Sequence, residues 1–168
     1  MAARLLLTVA VLLTLAGGWL TGATGAAAAP AVAPAFADFY AAVGGAEALG
    51  EPLAEPAWRD GRLVQYVERA RLEAHPDPAA PVQLGRLGVE ATAGRAFPRP
   101  EPFASTPERW YVAETGYGLG APFLAAWQAR GGAALLGFPI SEPLDEGGRT
   151  VQYFERARLE WSPGPDGG

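Results

Sequence analysis

The hydrophobic pattern of the chain begins with one long uncharged run near its start. Residues Leu5–Leu20 contain no charged side chain, Arg4 precedes them, and a stretch of small residues, Thr21–Ala29, follows. A positive start, an apolar middle and a small-residue end are the three parts of a secretory signal peptide. The run is also shorter than the roughly 20 apolar residues that a spanning helix needs. We therefore predict a signal peptide over residues 1–29 that is removed on export, with a retained membrane anchor as the alternative.

Beyond this run, the pattern of hydrophobic and polar positions occurs twice. Residues 36–76 align without a gap with residues 123–163, and 22 of the 41 positions are identical. The most similar segments are Val64–Glu73 and Val151–Glu160, in which nine of ten residues are identical. Chance does not produce such a match, so the chain contains a duplicated unit.

Each copy is predicted to begin with a short helix that ends at a pair of glycines. The two helices are Ala35–Val43 and Phe123–Arg130. A single helical turn is predicted after each of them, over residues 46–49 and 133–136. Glycine is typical of helix ends, and the Leu-Gly-x-Pro step that follows redirects the chain because glycine frees φ and proline fixes it.

Alternating residues then predict two short strands in each copy. The first strands are residues 64–67 and 151–154, which are β-branched and aromatic. In the second strand of the second copy, Ala157, Leu159 and Trp161 lie on one face and Arg158 and Glu160 on the other. The Glu-Arg-Ala turn lacks the Asn, Asp and Gly of hairpin tips, so a bulge or a bent single strand stays open as the alternative to a hairpin.

Residues 77–122 form a connector between the copies. Val82–Thr92 is predicted as a weak helix, and Phe97–Pro107, with four prolines, as an extended surface linker. A unit of about 40 residues buries too little apolar surface to fold alone, so the copies are expected to pack together. The predicted fold is α+β. Two tandem helix–turn–β-hairpin repeats, residues 30–76 and 123–168, would form one small pseudo-twofold domain after the signal peptide.

Composition and charge exclude several classes of function. The chain has 13 basic residues, 18 acidic residues and a net charge of −5, so no nucleic-acid binding is expected. It has no cysteine, which excludes disulfides, thiolate catalysis and cysteine-ligated metals. His75 is its single histidine, and it has no Gly-x-Ser-x-Gly motif. Neither a zinc site nor a serine hydrolase is therefore expected, and no cofactor is predicted.

Three carboxylates recur in both copies, as the pairs Glu55/Glu142, Glu68/Glu155 and Glu73/Glu160. Glycoside hydrolysis needs two acids, so a minimal glycan hydrolase is one hypothesis. A catalytic pair acts once, however, in a cleft with unlike walls, whereas these residues are repeated. The charged run is interpreted as lying on the exposed face of the hairpin and fixing its turn, with ligand contact as the alternative. We predict that the chain is not an enzyme.

Aromatic residues are the other candidates for contact with a ligand. Tyr66, Tyr153 and Trp127 are predicted to belong to the core, because large aromatics dominate small cores. Trp58 and Trp161 have no counterpart in the other copy, so they are predicted to be exposed contacts. The candidate ligand-binding residues are Trp161, Trp58, Phe138, Phe154, Arg158 and Glu160.

The second copy carries a family resemblance. Leu136-Gly-Phe-Pro139, with a double glycine before it and Glu142 after it, resembles the LGFP repeat of bacterial envelope proteins. The longer segment that ends in VQYFERARLE is similar to a tandem module of exported proteins from filamentous green bacteria. The resemblance covers residues 36–163, although the first copy has Glu51 where the second has Phe138. LGFP-type repeats are thought to contact cell-wall polysaccharide, so the resemblance implies association with the wall.

Together these observations predict an exported, non-enzymatic repeat module that binds or decorates the cell envelope through cell-wall glycan. The alternative is a protein-interaction or inhibitor module that contacts another secreted or envelope protein. In both cases the mature chain is expected to be extracellular and to lack a stable membrane span.

Overall fold

The computed structural model describes residues 5–7 and 28–162, which form short helices and three antiparallel sheets. This mixed helix and sheet architecture agrees with the predicted α+β class. The helices are α1 (Pro34–Ala42), α2 (Gly45–Leu49), α3 (Leu87–Ala91), α4 (Phe123–Ala129) and α5 (Gly132–Leu135). The strands are β1 (Leu5–Leu7), β2 (Ala57–Arg59), β3 (Arg62–Val67), β4 (Ala70–Ala74), β5 (Val82–Leu84), β6 (Arg109–Val112), β7 (Tyr117–Gly120), β8 (Leu144–Glu146), β9 (Arg149–Tyr153) and β10 (Arg158–Trp161).

The helices of both copies lie where the glycine pattern placed them. Helices α1 and α4 start and end within one residue of the predicted bounds. Gly44 and Gly131, which follow them, have φ of 105° and 85°, a left-handed conformation that side chains with a Cβ rarely adopt. Helices α2 and α5 are single turns that begin directly after these glycines. None of the helices in the described part of the chain is long and apolar enough to cross a membrane.

The Glu-Arg segment of each copy closes a hairpin, so the bent single strand is excluded. Val67 pairs with Ala70 across a two-residue turn between β3 and β4. In the second copy the Phe154 amide donates a 2.8 Å hydrogen bond to the carbonyl of Ala157 at the equivalent turn between β9 and β10. Each turn rests on the preceding Leu-Gly-x-Pro step, because the amides of Arg69 and Arg156 donate to the carbonyls of the leucines, Leu49 and Leu136.

A further hairpin stands before each of these and was not predicted. Strands β2 and β3 are joined by Asp60 and Gly61, with φ of 49° and 75°, and β8 and β9 by Gly147 and Gly148, with φ of 61° and 77°. Two consecutive positive φ values are typical of the type I′ turn, which matches the twist of the flanking strands. The sheets therefore have the orders β2-β3-β4-β5 and β1-β10-β9-β8.

The connector differs from its prediction in its first part. Only Leu87–Ala91 of the predicted helix 82–92 is helical, whereas Val82–Leu84 is strand β5 and pairs with β4. The hydrogen bonds that the outer edge of β4 offers outweigh the weak local helix preference of this segment. Residues 96–106 contain no helix or strand, in agreement with the predicted extended linker. Strands β6 and β7 then form a hairpin before the second copy.

Strand β1 belongs to the segment that was predicted as a signal peptide. Leu5–Leu7 pairs with β10 and takes the place beside β10 that β5 takes beside β4. The remainder of the predicted signal peptide lies outside the described residues. Residues 163–168, the end of the second copy, lie outside them as well.

The core has two parts, each centred on one copy and each completed by residues of the connector. Phe36, Val67 and Leu72 are fully buried in the first part, and Phe123, Phe154 and Leu159 in the second. The two parts are in contact, because Leu135 of the second copy packs against the first cluster. Helix α3 adds a further contact, since the Val89 amide donates a 3.2 Å hydrogen bond to the carbonyl of Glu155.

Candidate functional site

The charged hairpin residues are less exposed than predicted. Glu73 and Glu160 were interpreted as part of an exposed face, but they are only 8% and 2% exposed. The Glu160 carboxylate accepts a 2.8 Å hydrogen bond from Arg149 and a second one from Arg158. Arg149, Arg158 and Glu160 lie on one face of their two strands, so the arginine side chains cover the carboxylate. The prediction is wrong for both glutamates because their own partners shield them from water.

Tyr153 is the centre of a closed polar network on the same face. Its hydroxyl donates a 2.8 Å hydrogen bond to Glu146, and the Arg95 guanidinium donates one of 2.7 Å to the same carboxylate. The Arg95 guanidinium carbon lies 4.8 Å from the ring centre of Phe97 and 5.1 Å from that of Tyr153. Burial disfavours the charged form of Glu146, but the hydrogen bonds from Arg95 and Tyr153 outweigh it and lower its pKa. Tyr153 and Glu146 are thus bonded to each other and to both Arg95 and Arg158.

The structure does not bring the six predicted binding residues together on one surface. Phe154 is fully buried and Glu160 is nearly so, and neither side chain therefore offers a surface to a ligand. Phe138 and Trp161 are partly buried and pack against the core of the second copy. Arg158 is bound to Glu160 and Glu146.

Of the six, Trp58 alone is largely open to solvent, with 74% of its surface exposed. It lies in the middle of β2 and pairs with Leu63 of β3. Side chains of directly paired residues share one face, so Trp58 lies on the same face as Leu63, Gln65 and the core residue Val67. The indole therefore lies on the side of the sheet that carries the core of the first copy, outside the buried cluster. In the second copy the equivalent residue is Asp145.

A second candidate site is a groove between the two copies, which sequence reasoning missed. It has a volume of about 720 Å³, and the residues that matter for its chemistry are Arg69, Arg130, Arg156, Glu47, Leu49 and Leu136. We call it the inter-copy groove. Residue pairs at equivalent positions of the two copies line it, among them Leu49 with Leu136 and Arg69 with Arg156. The repetition of this arginine was the one signal in the sequence that could have indicated it.

Two of the recurrent carboxylates, both in the second copy, hold the backbone. Glu142 accepts a hydrogen bond from the Gly118 amide, and Glu155 accepts one of 3.1 Å from the Phe138 amide. Glu155 also forms a 2.8 Å ion pair with Arg86 of the connector. Within residues 5–7 and 28–162 no group of three or more His, Cys, Asp or Glu side chains is arranged to hold a metal ion.

Comparison with known proteins adds no assignment. No family model matches the chain, and no curated protein matches it.

Proposed function

We propose that the chain is an exported, non-enzymatic module that binds glycan of the cell envelope through a surface centred on Trp58. The exposure of this indole is the observation that carries the proposal. Exposing a large aromatic ring to water forgoes about 2 kcal/mol of burial free energy, so such a ring is a candidate for contact with a partner. An indole face held by a strand can stack on the C–H face of a sugar ring. This surface is called the Trp58 surface below.

The scaffold that presents this surface is, in our proposal, one pseudo-twofold domain built from the two copies. The same backbone bonds between the hairpin turn and the Leu-Gly-x-Pro step occur in each copy, which supports a common repeat fold. The packing of Leu135 on the first core and of α3 on the second copy supports a single body. A rigid body suits a binding module because the contact surface is already ordered before the ligand arrives.

The hydrogen bonds and ion pairs of the recurrent carboxylates support the proposal that the chain is not an enzyme. Glu142 and Glu155 are engaged with backbone amides, and Glu160 with two arginines. A general acid needs a carboxyl group whose proton is free to move to the substrate, which these ion pairs and amide bonds oppose. Wild-type protein that releases sugar from wall polysaccharide would contradict this part of the proposal.

The proposal that the protein is exported rests on the predicted signal peptide, residues 1–29. Cleavage near Ala29 would also remove β1 and leave the outer edge of β10 unpaired. The sequence of the N-terminus of protein recovered from the culture medium tests this, and a start at Met1 or Ala2 would refute cleavage.

Retention on purified cell walls tests the glycan function. The Trp58→Ala variant of the exported protein is expected to bind walls about thirtyfold more weakly than wild type, because a tryptophan anchor that is buried on binding contributes on the order of 2 kcal/mol. Trp58→Phe keeps an aromatic face and is expected to retain most of the binding. Asp145→Ala changes the equivalent position of the other copy and serves as the matched control. Equal retention of Trp58→Ala and wild type would overturn the role of this surface.

Treatment of the walls separates the two classes of partner. Retention on walls that have been stripped of protein by protease supports a glycan ligand. Loss of retention after protease, but not after removal of polysaccharide, would favour the protein-interaction module instead. Circular dichroism of each variant shows whether the fold is intact.

A further inference from the structure

The inter-copy groove carries an unusual balance of charge for this protein. Three of the residues that line it are arginines, Arg69, Arg130 and Arg156, and Glu47 is the one acidic residue among them. The carboxylates of Glu68 and Glu155 lie 4.0 and 3.9 Å from Arg69 and Arg156, so Arg130 is the arginine of the groove without a carboxylate partner among the described residues. The chain as a whole has a net charge of −5. A cationic cleft on an acidic protein concentrates negative ligands there, because low-dielectric walls focus the field of the arginines.

Two of these arginines are fixed by the fold. The Arg69 guanidinium donates hydrogen bonds of 3.2 and 3.1 Å to the carbonyls of Ala46 and Glu47, at helix α2. The Arg156 guanidinium donates one of 3.1 Å to the carbonyl of Ala133, at helix α5, and one of 3.2 Å to that of Leu84. Each guanidinium has five N–H donors, so both retain donors after these bonds are made. Their positions are set before a ligand binds, which lowers the entropy cost of binding.

The third arginine has no such bonds. Within the described residues, the side chain of Arg130 forms neither a hydrogen bond nor an ion pair, although the residue is partly buried and its backbone amide donates to the carbonyls of Ala126 and Trp127. It follows helix α4 directly, and its counterpart in the first copy is Val43, which also lines the groove. The second copy thus has an arginine where the first has a valine, and this difference adds a positive charge to the groove.

We infer that the inter-copy groove binds a sugar acid, with its carboxylate on the arginines and its ring against Val43 and Leu135, which line the groove and are partly exposed. Guanidinium groups bind carboxylates and phosphates through paired, charge-assisted hydrogen bonds. The volume of about 720 Å³ falls in the range of small-ligand sites. The groove is distinct from the Trp58 surface. The choice of a sugar acid rests on the proposed glycan function, whereas the anion site rests on the arginines alone.

Titration of the exported protein with two related sugars tests the inference. N-acetylmuramic acid and N-acetylglucosamine differ in a lactyl group that carries a carboxylate, so they form a matched pair. We expect N-acetylmuramic acid to bind with one-to-one stoichiometry in calorimetry and to shift the NMR signals of the groove residues. N-acetylglucosamine is expected to bind at least about tenfold more weakly, because it makes no ionic hydrogen bond. Inorganic phosphate forms the third arm, and phosphate binding tighter than that of the sugar acid would overturn the assignment to a sugar.

Variants at Arg130 locate the site. Arg130→Gln is expected to weaken binding of N-acetylmuramic acid about tenfold without affecting the fold, because the Arg130 guanidinium has no bonds to the described residues and its backbone amide bonds are unchanged. Arg62→Gln removes the same charge from an exposed position outside the groove and is expected to leave the affinity unchanged. Equal weakening by both variants, or by neither, would overturn the groove site.

The two proposals fail in different ways. No binding of N-acetylmuramic acid, together with wall retention that depends on Trp58, would overturn the groove and leave the glycan function in place. Binding of N-acetylmuramic acid that depends on Arg130, with wall retention insensitive to Trp58, would support the groove and overturn the Trp58 surface.

Discussion

The indole N–H of Trp127 donates a 2.8 Å hydrogen bond to the carbonyl oxygen of Gly137. In the first copy the Tyr40 hydroxyl donates a bond of the same length to the carbonyl oxygen of Gly50. Both glycines belong to the Leu-Gly-x-Pro step and have φ near 77°. Two different aromatic residues thus supply one donor to the same carbonyl of each copy. For the fold, the hydrogen bond to the glycine carbonyl is more important than which aromatic residue donates it.

Trp127→Phe is expected to lower the free energy of unfolding by about 2–3 kcal/mol. The variant leaves a buried carbonyl without its donor and removes part of a buried ring, and both effects destabilise the folded state. Tyr40→Phe is expected to cost about 1 kcal/mol, since Tyr40 is partly exposed and loses a hydroxyl only. Urea denaturation measures both changes. The exposed Trp58→Phe is the control, and a cost for Trp127→Phe no larger than for this control would contradict the role of the bond.

Glu160 gives a second prediction about stability. Glu160→Gln is expected to cost about 2–3 kcal/mol, because the carboxylate is buried and its loss leaves Arg149 without an ion pair among the described residues and Arg158 with Glu146 alone. Glu68→Gln changes a carboxylate that is 49% exposed and lies 4.0 Å from Arg69. We therefore expect it to lower the free energy of unfolding by less than about 0.5 kcal/mol. Thermal unfolding of both variants provides the comparison. If the two cost the same, the burial of Glu160 does not determine its contribution.

The sequence predicted the parts of the fold that short-range signals determine. The glycines after α1 and α4 mark the helix ends because few other residues adopt their φ values. The Asp60-Gly61 and Gly147-Gly148 turns were also readable in the sequence, since such pairs are typical of type I′ hairpins. The sequence prediction omits them because it begins the strands only at the β-branched residues that follow.

The features that could not be predicted from the sequence depend on contacts between distant segments. Val82–Leu84 becomes a strand only because β4 offers an open edge, and the three residues alone do not show this. Trp161 was predicted to be exposed because the first copy lacks it, but it packs against the core of the second copy. The inter-copy groove exists only where the two copies meet, so no pattern within one copy could predict it.

Acidification is expected to destabilise the wild type more than a Glu146→Gln variant. Burial opposes ionisation of Glu146, yet the hydrogen bonds from Arg95 and Tyr153 prevail, so its pKa is lower in the folded than in the unfolded chain. A group of this kind stabilises the fold above its unfolded-state pKa, and that contribution is lost as the pH falls through its folded-state pKa. The difference between wild type and variant should therefore shrink as the pH falls from about 5 through the lowered folded-state pKa.

Urea denaturation over this pH range measures the effect. Glu101→Gln is the control because Glu101 is exposed and has no ion pair among the described residues. The stability of the Glu101→Gln variant should equal that of the wild type at every pH. A Glu146→Gln variant that follows the wild type in the same way would contradict the network around Tyr153.

Gly88→Ala tests the contact between the connector and the second copy. A Cβ atom at this position would overlap the carbonyl oxygen of Phe154 and lie close to that of Ala157. These are backbone atoms that cannot turn aside, so helix α3 would have to move off the second copy, at a cost of about 2–3 kcal/mol. Gly94→Ala is the control, since a Cβ there meets nothing within 4 Å and the cost is limited to about 1 kcal/mol for its φ of +81°. Urea denaturation followed by circular dichroism gives both values, and a Gly88→Ala variant as stable as Gly94→Ala would show that α3 does not hold the two copies together.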